Sequence, residues 1–322
     1  MPPPFAGEQE TQMSTLAFDL GGTHLRAGAV ADGEVVAHTK VALDDKSPEG
    51  VARAMAQCAG QLPTTSGTIG VGIAAMVSQP HHHVENAPNL GWRQVDFPAI
   101  ASQALGGRAV RLANDLDAIC LGEATHGAAK GAQHVLCVYV GTGVGAGLLL
   151  DGRPYSGARG VGSELGHSKS PYADGVACSC GQTGCLEAIT GGARLLQRLH
   201  DDVAANRAAR VAALAAADDT SERPHLGHVD LAFAEGDAYA TALWTTVANA
   251  IGDAVGITVT LLNPETIVWG GGVLERCPHL LAAIEDRVRH QANAVALPGL
   301  RMTVGTLGDA AGLLGAAAVA GL

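Results

Sequence analysis

Alternating apolar and polar positions predict two groups of short strands joined by tight turns. Near the start, TLAFDL, HLRAGAVA and EVVAHTKVAL are separated by Gly-Gly-Thr and by Asp32-Gly33. The same order returns later as HVLCVYV, GTGVG, AGLLL and Asp151-Gly152. Because Asp-Gly between alternating runs is a hairpin signal, each group is predicted to contain a hairpin at its Asp-Gly turn. The recurrence is a weak internal repeat and predicts two domains built on related plans.

Two further strands are predicted to end at residues that could meet a ligand. The helical run TVANAIGDAVGITVTLLN precedes PETIVWGGGVLE, which predicts a strand over Thr266–Trp269 entering three glycines. The short apolar run AVRLA ends at Asn114-Asp115. Ligands of α/β folds bind at the carboxyl ends of strands, so these ends are candidate sites. The segment 207–235 predicts helix, loop and helix, and no chemistry is assigned to it.

Length and charge narrow the class of protein. A chain of 322 residues exceeds what one core usually holds, which again predicts two domains. Hydrophobic residues make up 47% and charged residues 16%, a globular rather than a disordered composition. The formal net charge of -11 argues against a nucleic-acid or anionic-membrane partner. A phosphate ligand must then be held by backbone amides or by a cation.

The amino terminus and the apolar runs indicate neither export nor a membrane anchor. MPPPFAGEQETQMST lacks the basic and apolar regions of a secretory signal, so residues 1–14 are predicted to be a disordered leader of a cytoplasmic protein. No uninterrupted apolar run reaches the roughly 20 residues of a membrane-spanning helix. Val135–Leu150 comes nearest and is broken by Gly, Thr and Tyr.

The glycine turns can serve either of two purposes. Without a Cβ atom, the backbone can approach a phosphate closely and direct several N–H groups at it. Each turn taken alone is explained more easily as the closure of a hairpin. The chain has no GxxxxGK[ST] motif, so a nucleotide site here would lack the lysine of that loop.

The segment ACSCGQTGCLE places three cysteines close together, downstream of His167. His167, Cys178, Cys180 and Cys185 make up a full tetrahedral zinc set. A disulfide is disfavoured because three cysteines leave one unpaired and no export signal is present. Core cysteines are the other alternative, but the intervening Gly-Gln-Thr-Gly favours a metal-binding loop. With four protein ligands the zinc would be structural, because no position stays open for water. The isolated cysteines predicted to be core residues are Cys58, Cys120, Cys137 and Cys277.

Four motifs in this order resemble the ROK family of sugar kinases and sugar-responsive repressors, within the actin-like ATPase superfamily. They are DLGGTHLRAGAV, LANDLDA, YVGTGVGAGLLLDGRPYSGARGVGSELGH and CSCGQTGCLEAI, and the resemblance extends from Thr15 to the carboxyl terminus. It implies an α/β fold with two actin-like ATPase (ribonuclease H-like) domains around a central cleft. The implied domains are residues 15–118, completed by a helix at about 305–322, and residues 119–304, which carry the zinc-binding loop.

The resemblance also implies the residues that contact sugar. The sugar ligands that it implies are Asn89, Asn114, Asp115, Glu164, His167 and Glu187. Asp115 would be the general base that accepts the proton of the sugar hydroxyl as its oxygen attacks the γ-phosphate. From the residues alone, Asn114-Asp115 is explained equally well as the N-cap of the helix LDAICLGEATHG, and either glutamate could be surface charge.

On the nucleotide side, the resemblance implies ATP held by the glycine turns and a Mg²⁺ ion oriented by Asp19. The implied residues are Gly21, Gly22 and Thr23 in the first phosphate turn, Gly141, Thr142 and Gly143 in the second, and Gly271 in the adenosine region. Two positions depart from the family pattern. His24 stands where relatives often have Lys, and Ala74-Ala75 stands where they commonly have Pro-Gly.

The implied function is that of an ATP-dependent hexose kinase, in particular a glucokinase that phosphorylates the 6-hydroxyl of glucose for glycolysis. N-acetylhexosamine or fructose kinases use much the same residues, and a non-catalytic sugar sensor is an alternative from a different class. The family's repressors carry a DNA-binding helix-turn-helix before the sugar fold, whereas only 14 residues without a basic cluster precede Thr15 here. The expected partners are a hexose and MgATP, in a homodimer or homotetramer.

Overall fold

A computed structural model describes residues 14–63, 67–78, 83–221 and 223–322. The predicted disordered leader therefore lies outside the described residues, apart from Ser14. Two compact units are present. Unit 1 extends to Gly122 and resumes at Asp309–Leu322, and unit 2 is Glu123–Gly308. Both boundaries between the units lie slightly later in the chain than the boundaries expected at residues 118 and 304.

The strands and helices alternate as expected for an α/β protein. The strands are β1 Thr15–Leu20, β2 His24–Ala31, β3 Glu34–Ala42, β4 Ile69–Ile73, β5 Met76–Val77, β6 Val84–Ala87, β7 Trp92–Val95, β8 Val110–Asn114, β9 Val135–Val140, β10 Val144–Leu150, β11 Arg153–Pro154, β12 Thr266–Gly270 and β13 Arg301–Val304. The α-helices are α1 Pro48–Ala59, α2 Phe97–Ala104, α3 Asp115–Thr125, α4 Glu187–Thr190, α5 Gly192–Ala204, α6 Ala209–Ala216, α7 Leu226–Ala234, α8 Ala238–Leu262, α9 Gly272–Arg276, α10 Pro278–Gln291 and α11 Ala311–Ala320. Short 3₁₀ helices cover Leu165–His167, Pro171–Ala173, Ala294–Ala296 and Gly308–Ala310.

Each unit contains a five-stranded sheet, and the two sheets share one plan. The strand order is β3-β2-β1-β4-β8 in unit 1 and β11-β10-β9-β12-β13 in unit 2. In both, a meander of three antiparallel strands continues into two parallel strands. The predicted repeat and the α/β class are therefore confirmed. Unit 1 also has a small antiparallel sheet, β5-β6-β7.

The two Asp-Gly turns adopt the backbone that their sequence predicts. Asp32 and Gly33 have φ values of 51° and 79°, and Asp151 and Gly152 have φ values of 53° and 70°. Two consecutive positive φ values are the mark of a type I′ turn, whose twist matches that of the flanking strands. Both predicted hairpins, β2–β3 and β10–β11, are therefore confirmed.

The helix at the end of the chain belongs to the core of unit 1. Helix α11 packs on β1 and β4, and many of its residues are buried. A Cβ atom built on Gly70 would lie only 1.7 Å from the carbonyl oxygen of Ala316. This close approach of helix and sheet explains why β4 has glycine at position 70.

Helix α8 is a long apolar helix whose sequence does not form one uninterrupted apolar run. Among the described residues it is the one helix long and apolar enough to cross a membrane by length and composition, with a mean hydropathy of 1.3. Its side chains Leu243, Trp244 and Ile251 are buried in the core of unit 2, so it is a core helix. The expectation that Val135–Leu150 comes nearest to a span is wrong, because that segment is the β9–β10 hairpin. The helix and strand predicted before the three glycines are confirmed by α8 and β12.

Candidate functional site

The first glycine turn joins β1 to β2 and packs against one predicted sugar ligand. The Gly21 N–H donates to the His24 carbonyl oxygen at 3.1 Å, and the Thr23 carbonyl oxygen accepts from the Leu43 N–H at 2.9 Å. A Cβ atom built on Gly22 would lie 2.5 Å from the Cβ atom of Asn89. The structure therefore brings this turn and Asn89 together, and Gly22 has no room for a side chain.

Asp19, near the end of β1, is held by an arginine on the neighbouring strand. Asp19 and Arg26 are register partners across β1 and β2. The Arg26 Nε–H donates to Oδ2 of Asp19 at 2.8 Å, and the second guanidinium contact is made to the same oxygen. The carboxylate is thus fixed through one oxygen. The start of α11 lies against it, since a Cβ atom on Gly312 would be 2.6 Å from Oδ2.

Asn114 and Asp115 stand where β8 ends and α3 begins. Asn114 Oδ1 accepts from the N–H groups of Leu116 and Asp117 at 2.9 and 3.3 Å, and its Nδ2 donates to the Ala75 carbonyl oxygen at 3.1 Å. Asn114 is therefore the cap of α3, as the simpler interpretation of the sequence expects. Half-buried Asp115 accepts from the Leu116 N–H through Oδ1 at 3.0 Å.

In unit 2 the second and third glycine turns lie side by side. The Gly141 N–H donates to the Gly143 carbonyl oxygen at 3.0 Å, and the Gly192 N–H at the start of α5 donates to the Gly141 carbonyl oxygen at 2.9 Å. Gly271 has a φ of 90°, and a Cβ atom built on it would lie 2.6 Å from the Val140 carbonyl oxygen. Only glycine fits this contact, which brings Gly271 to the end of β9, next to the second turn.

Glu187 connects the second glycine turn to the cysteine loop. Its Oε2 accepts from the Val144 N–H at 2.9 Å, just after Gly143, and its Oε1 lies 3.5 Å from the Ser179 hydroxyl. A Cβ atom on Gly143 would meet Oε2 at 2.3 Å. The glutamate is thus a fixed acceptor rather than surface charge.

Glu164 directly precedes the 3₁₀ helix Leu165–His167, and His167 is its last residue. Nε2 of His167 lies 3.9 Å from Oε2 of Glu164, while Nδ1 lies 3.8 Å from Sγ of Cys178. Burial raises the pKa of the Glu164 carboxyl; His167 lowers it and the negative charge of Glu187 raises it further. The structure therefore brings Glu164, His167 and Glu187 together within unit 2.

The four sequence-predicted metal ligands converge. One ligand atom from each of His167, Cys178, Cys180 and Cys185 lies within 4.8 Å of the others. Sγ of Cys180 and Sγ of Cys185 are 3.7 Å apart. Two thiolates about 2.3 Å from a tetrahedral ion would be separated by about 3.8 Å, so the spacing fits such a site.

The loop that carries the cysteines is a narrow hairpin. Isolated bridges pair Lys169 with Cys185 and Ala177 with Thr183. Gly181 and Gly184 turn the chain with φ values of 86° and 78°. A backbone hydrogen bond from Gln182 lowers the pKa of the exposed Cys180 thiol, and this favours the thiolate form that metals bind. The four isolated cysteines are buried in the cores as predicted, namely Cys58, Cys120, Cys137 and Cys277.

A second cluster, Asp218, His225 and His228, also places its ligand atoms within 4.8 Å of one another. The His225 backbone N–H donates to Nδ1 of His228 at 3.2 Å, so the proton of that ring is on Nε2. Nε2–H then donates to Oδ2 of Asp218 at 3.0 Å. Because a metal would need the Nε2 lone pair, this cluster is a hydrogen-bonded anchor for the loop rather than a metal site.

Unit 2 has a cavity of about 490 Å³ beside the glycine turns. Thr142, Gly272 and Leu196 line it, together with His225 and Arg276. No motif in the sequence indicates the last two residues. His225 lies in the segment 207–235, whose predicted helices are confirmed by α6 and α7 but to which no chemistry was assigned. No spacing motif links it to Thr142, so only the folded chain brings them together.

The fold and these sites define an α/β protein of two sheet repeats, with glycine turns and acidic residues at strand ends and a cysteine-rich candidate metal loop. The model of the ROK family matches residues 15–321, and the chain belongs to that family. It is 28% identical to a glucokinase of Thermotoga maritima over 315 residues, which are 96% of this chain and 97% of the relative.

Solved structures of the family match over nearly the whole chain. The ROK hexokinase from Thermus thermophilus is 31% identical, with a TM-score of 0.76 over 95% of this chain and 97% of that one. A ROK family glucokinase from Streptomyces griseus, in complex with glucose and AMPPNP, is 28% identical, with a TM-score of 0.76 over 94% of this chain and 98% of that one. The fold class implied by the sequence motifs is therefore confirmed.

Proposed function

We propose that the protein is an ATP-dependent hexose kinase that transfers the γ-phosphate of ATP to the 6-hydroxyl of glucose. The observation that carries the proposal is the half-buried carboxylate of Asp115 at the end of β8, in a chain that matches sugar kinases of its family over nearly its whole length. The Streptomyces griseus relative, which holds glucose and AMPPNP, supports both substrates.

In unit 1, Asp115 is the general base and Asn89 and Asn114 contact sugar hydroxyls. A carboxylate within hydrogen-bond reach of the 6-hydroxyl accepts its proton as the oxygen attacks phosphorus. Asn114 is held rigidly by α3 and by Ala75, which leaves the second N–H of its amide to donate to a hydroxyl. Capping and sugar binding are therefore compatible roles.

In unit 2, the sugar ligands are Glu164, His167 and Glu187. Carboxylate oxygens accept hydrogen bonds from hydroxyls, and a site built from such acceptors rejects an analogue that lacks the matching hydroxyl. Nδ1 of His167 faces Cys178, so Nε2, on the side of Glu164, is the nitrogen that meets sugar. Because one ring nitrogen of His167 faces the metal loop and the other faces the sugar, sugar recognition depends on the metal loop.

The cysteine loop holds one structural Zn²⁺ per chain through His167, Cys178, Cys180 and Cys185. The spacing of the sulfur atoms and the convergence of the four ligands support this assignment. Four protein ligands complete a tetrahedral shell, so the ion orders the loop and takes no part in the transfer. Elemental analysis of the protein, as purified under reducing conditions, would find about one zinc per chain.

ATP is held by the glycine turns Gly21-Gly22-Thr23 and Gly141-Thr142-Gly143, with its adenosine near Gly271. Asp19 would hold Mg²⁺, and its Oδ1 is suited to this because both contacts from Arg26 fall on Oδ2. When bound with ATP, Mg²⁺ would supply positive charge that offsets the charge of the phosphates. The formal charge of -11 makes this contribution more important.

A coupled assay of ADP release over a panel of hexoses tests the proposal. The panel contains glucose, mannose, fructose, N-acetylglucosamine and N-acetylmannosamine, each with MgATP. We expect the largest kcat/KM with glucose, and glucose 6-phosphate as the product. Preference for an N-acetylhexosamine or for fructose would correct the substrate, and absence of turnover with every sugar would contradict the kinase assignment. The resemblance also implies a homodimer or homotetramer, which light scattering would test.

A further inference from the structure

The cavity of unit 2 has one wall that the glycine turns do not supply. This wall consists of the loop His225–Gly227, just before and at the start of α7, and of Arg276 at the end of α9. The glycine turns offer backbone N–H groups, whereas this wall offers two planar side chains. Leu196 and Val273 add an apolar lining. The volume of about 490 Å³ lies within the range of small-molecule sites.

The ring of His225 is held in one orientation. It stacks on the ring of His228, with ring centres 3.7 Å apart and planes at 20°. His228 is itself fixed by its hydrogen bonds to the His225 backbone and to Asp218. Nδ1 of His225 is buried against Gly227, so the ring presents its Nε2 edge, and the side chain as a whole is 42% exposed.

The Nε2 edge of His225 is available to a ligand. The nearest carboxylate oxygen, Oδ2 of Asp218, is 3.7 Å from Nε2, which is too long for a hydrogen bond. Burial lowers the pKa of His225, the neighbouring His228 and Arg276 lower it further, and Asp218 opposes them. The ring is therefore neutral near pH 7. A neutral ring can stack on a base and donate one hydrogen bond from Nε2.

Arg276 is a cation without a carboxylate partner in the part of the chain that the structure describes. It is exposed and lines the cavity on the same side as His225. A guanidinium group is planar, always charged and more weakly hydrated than an ammonium group, so it packs well on aromatic faces. The formal net charge of the chain is -11, so carboxylates that could pair with a cation are in excess. That Arg276 instead lines a cavity without such a partner among the described residues indicates a role in binding a ligand.

We propose that His225 and Arg276 recognise the purine base of ATP, by packing on its face and by donating hydrogen bonds to its ring nitrogens. This inference rests on the proposed function and adds the residues that select the nucleotide. The base, rather than the phosphates, is the matching group because this wall combines planar and apolar side chains. The phosphates are left to the backbone N–H groups of Thr142 and Gly143, because the Gly141 N–H already donates to the Gly143 carbonyl oxygen.

Binding titrations of the full chain with two probes test the inference without sugar or turnover. The probes are MgADP and inorganic tripolyphosphate. The variants are Arg276→Met and His225→Asn, in which asparagine keeps the N-cap capability at the start of α7. We expect each variant to bind MgADP roughly tenfold more weakly, because a stacked cation or ring contact with the base is lost, while tripolyphosphate binding is unchanged. The matched control Arg289→Met, on α10 away from the cavity, should bind both probes like wild type.

Two results would overturn the inference. Unchanged MgADP affinity in Arg276→Met would exclude the base contact, and equal weakening of both probes would mean a phosphate contact instead. Arg276→Met decides the matter alone if His225→Asn does not fold, since Arg276 caps no helix. In turnover with glucose, Arg276→Met should raise the KM for ATP and leave the KM for glucose unchanged.

The failure of this inference and the failure of the proposed function give different results. A wild-type protein that binds MgADP through Arg276 but phosphorylates no hexose would contradict the kinase assignment and support the base contact. A wild-type protein that phosphorylates glucose, with an Arg276→Met variant of unchanged KM for ATP, would contradict only the base contact.

Discussion

The two sheets of this protein have the same strand plan and different chemistry at equivalent positions. In unit 1, β1 carries Asp19 at its fifth residue and β8 leads into Asp115. In unit 2, the fifth residue of β9 is Tyr139, and β13 leads into Gly305. The equivalent strand ends thus carry carboxylates in one unit and none in the other.

In unit 2 a carboxylate instead accepts hydrogen bonds from the backbone at this end of the sheet. Glu123, fully buried, accepts from the N–H groups of Ala128, Thr306 and Leu307 at 2.7, 3.3 and 3.1 Å. Two of these amides follow β13 directly. The comparison teaches that the repeated topology sets where functional side chains can stand at the ends of the strands. The residues of each copy decide whether such an end carries a candidate reactive carboxylate or a carboxylate that holds the backbone.

The largest expected effect is that of Asp115→Asn in unit 1. Asparagine keeps the shape of the side chain but cannot accept a proton, so kcat with glucose and MgATP should fall by roughly 100-fold or more. The KM for glucose should change less, because an amide still contacts a hydroxyl. Steady-state kinetics of the purified variant measure both.

Asp44→Asn, at an exposed position of the same unit, is the matched control and should behave like wild type. Turnover of Asp115→Asn near the wild-type level would mean that Asp115 only contacts sugar or stabilises α3. The general base would then have to be Glu164 or Glu187. The reactive carboxylate would therefore lie in unit 2 rather than in unit 1.

The cysteine loop lies between β11 and α4 of unit 2, whereas the described residues between β3 and α1 of unit 1 form only a short connection. Cys180→Ser should lose the metal, and the KM for glucose should rise by roughly tenfold because Glu187 and His167 lose their fixed positions. Elemental analysis and kinetics together check this. Cys58→Ala, in the core of unit 1, should keep the metal; a Cys180→Ser protein with full metal content would refute the ligand set.

Glu123→Gln tests the structural carboxylate of unit 2. Its oxygens accept from three amides, so an NH₂ group in place of one oxygen must face at least one N–H. We expect the free energy of unfolding to fall by about 1–3 kcal/mol, measured by urea denaturation, with kcat of the folded protein retained. Asp286→Asn, an exposed carboxylate on α10, should leave stability unchanged. If Glu123→Gln lost turnover but kept its stability, Glu123 would act in the reaction rather than in the structure. The contrast between a reactive carboxylate in unit 1 and a structural one in unit 2 would then be wrong.

The smallest effect concerns Asp218, which accepts a hydrogen bond from the ring of His228, the histidine that stacks on His225. Hydrogen bonds from Thr220, and then from His228, lower the pKa of its carboxyl to about 2. A carboxyl with a depressed pKa stabilises the fold above its unfolded pKa of about 4, and this contribution disappears as pH falls toward 2. Asp218→Asn should therefore be less stable than wild type at pH 6, and the difference should vanish near pH 2. A stability difference that is independent of pH would exclude the ionised anchor.

Much of the fold was predictable because its signals are local. The Asp-Gly turns fix both hairpins through the backbone that these residues prefer, and the spacing of the cysteines with His167 indicates a ligand set within one stretch of chain. The internal repeat followed from the same strand and turn order in both halves. Helix α8 was recognised as a helix only in part, because its apolar residues are spread around a buried cylinder rather than along one stripe.

What the sequence determined by itself is therefore the strands of the two hairpin groups with their glycine turns, the strands that end at Asn114 and at Gly270, the candidate set of metal ligands and the family. Tertiary structure decided which of the glycines touch one another, that Glu123 accepts hydrogen bonds from the chain after β13, and that His225 and Arg276 line the cavity with Thr142. The physical reason is separation along the chain. Turn and metal-loop preferences act over a few residues, whereas the packing that brings position 225 beside positions 142 and 276 depends on the whole core of unit 2.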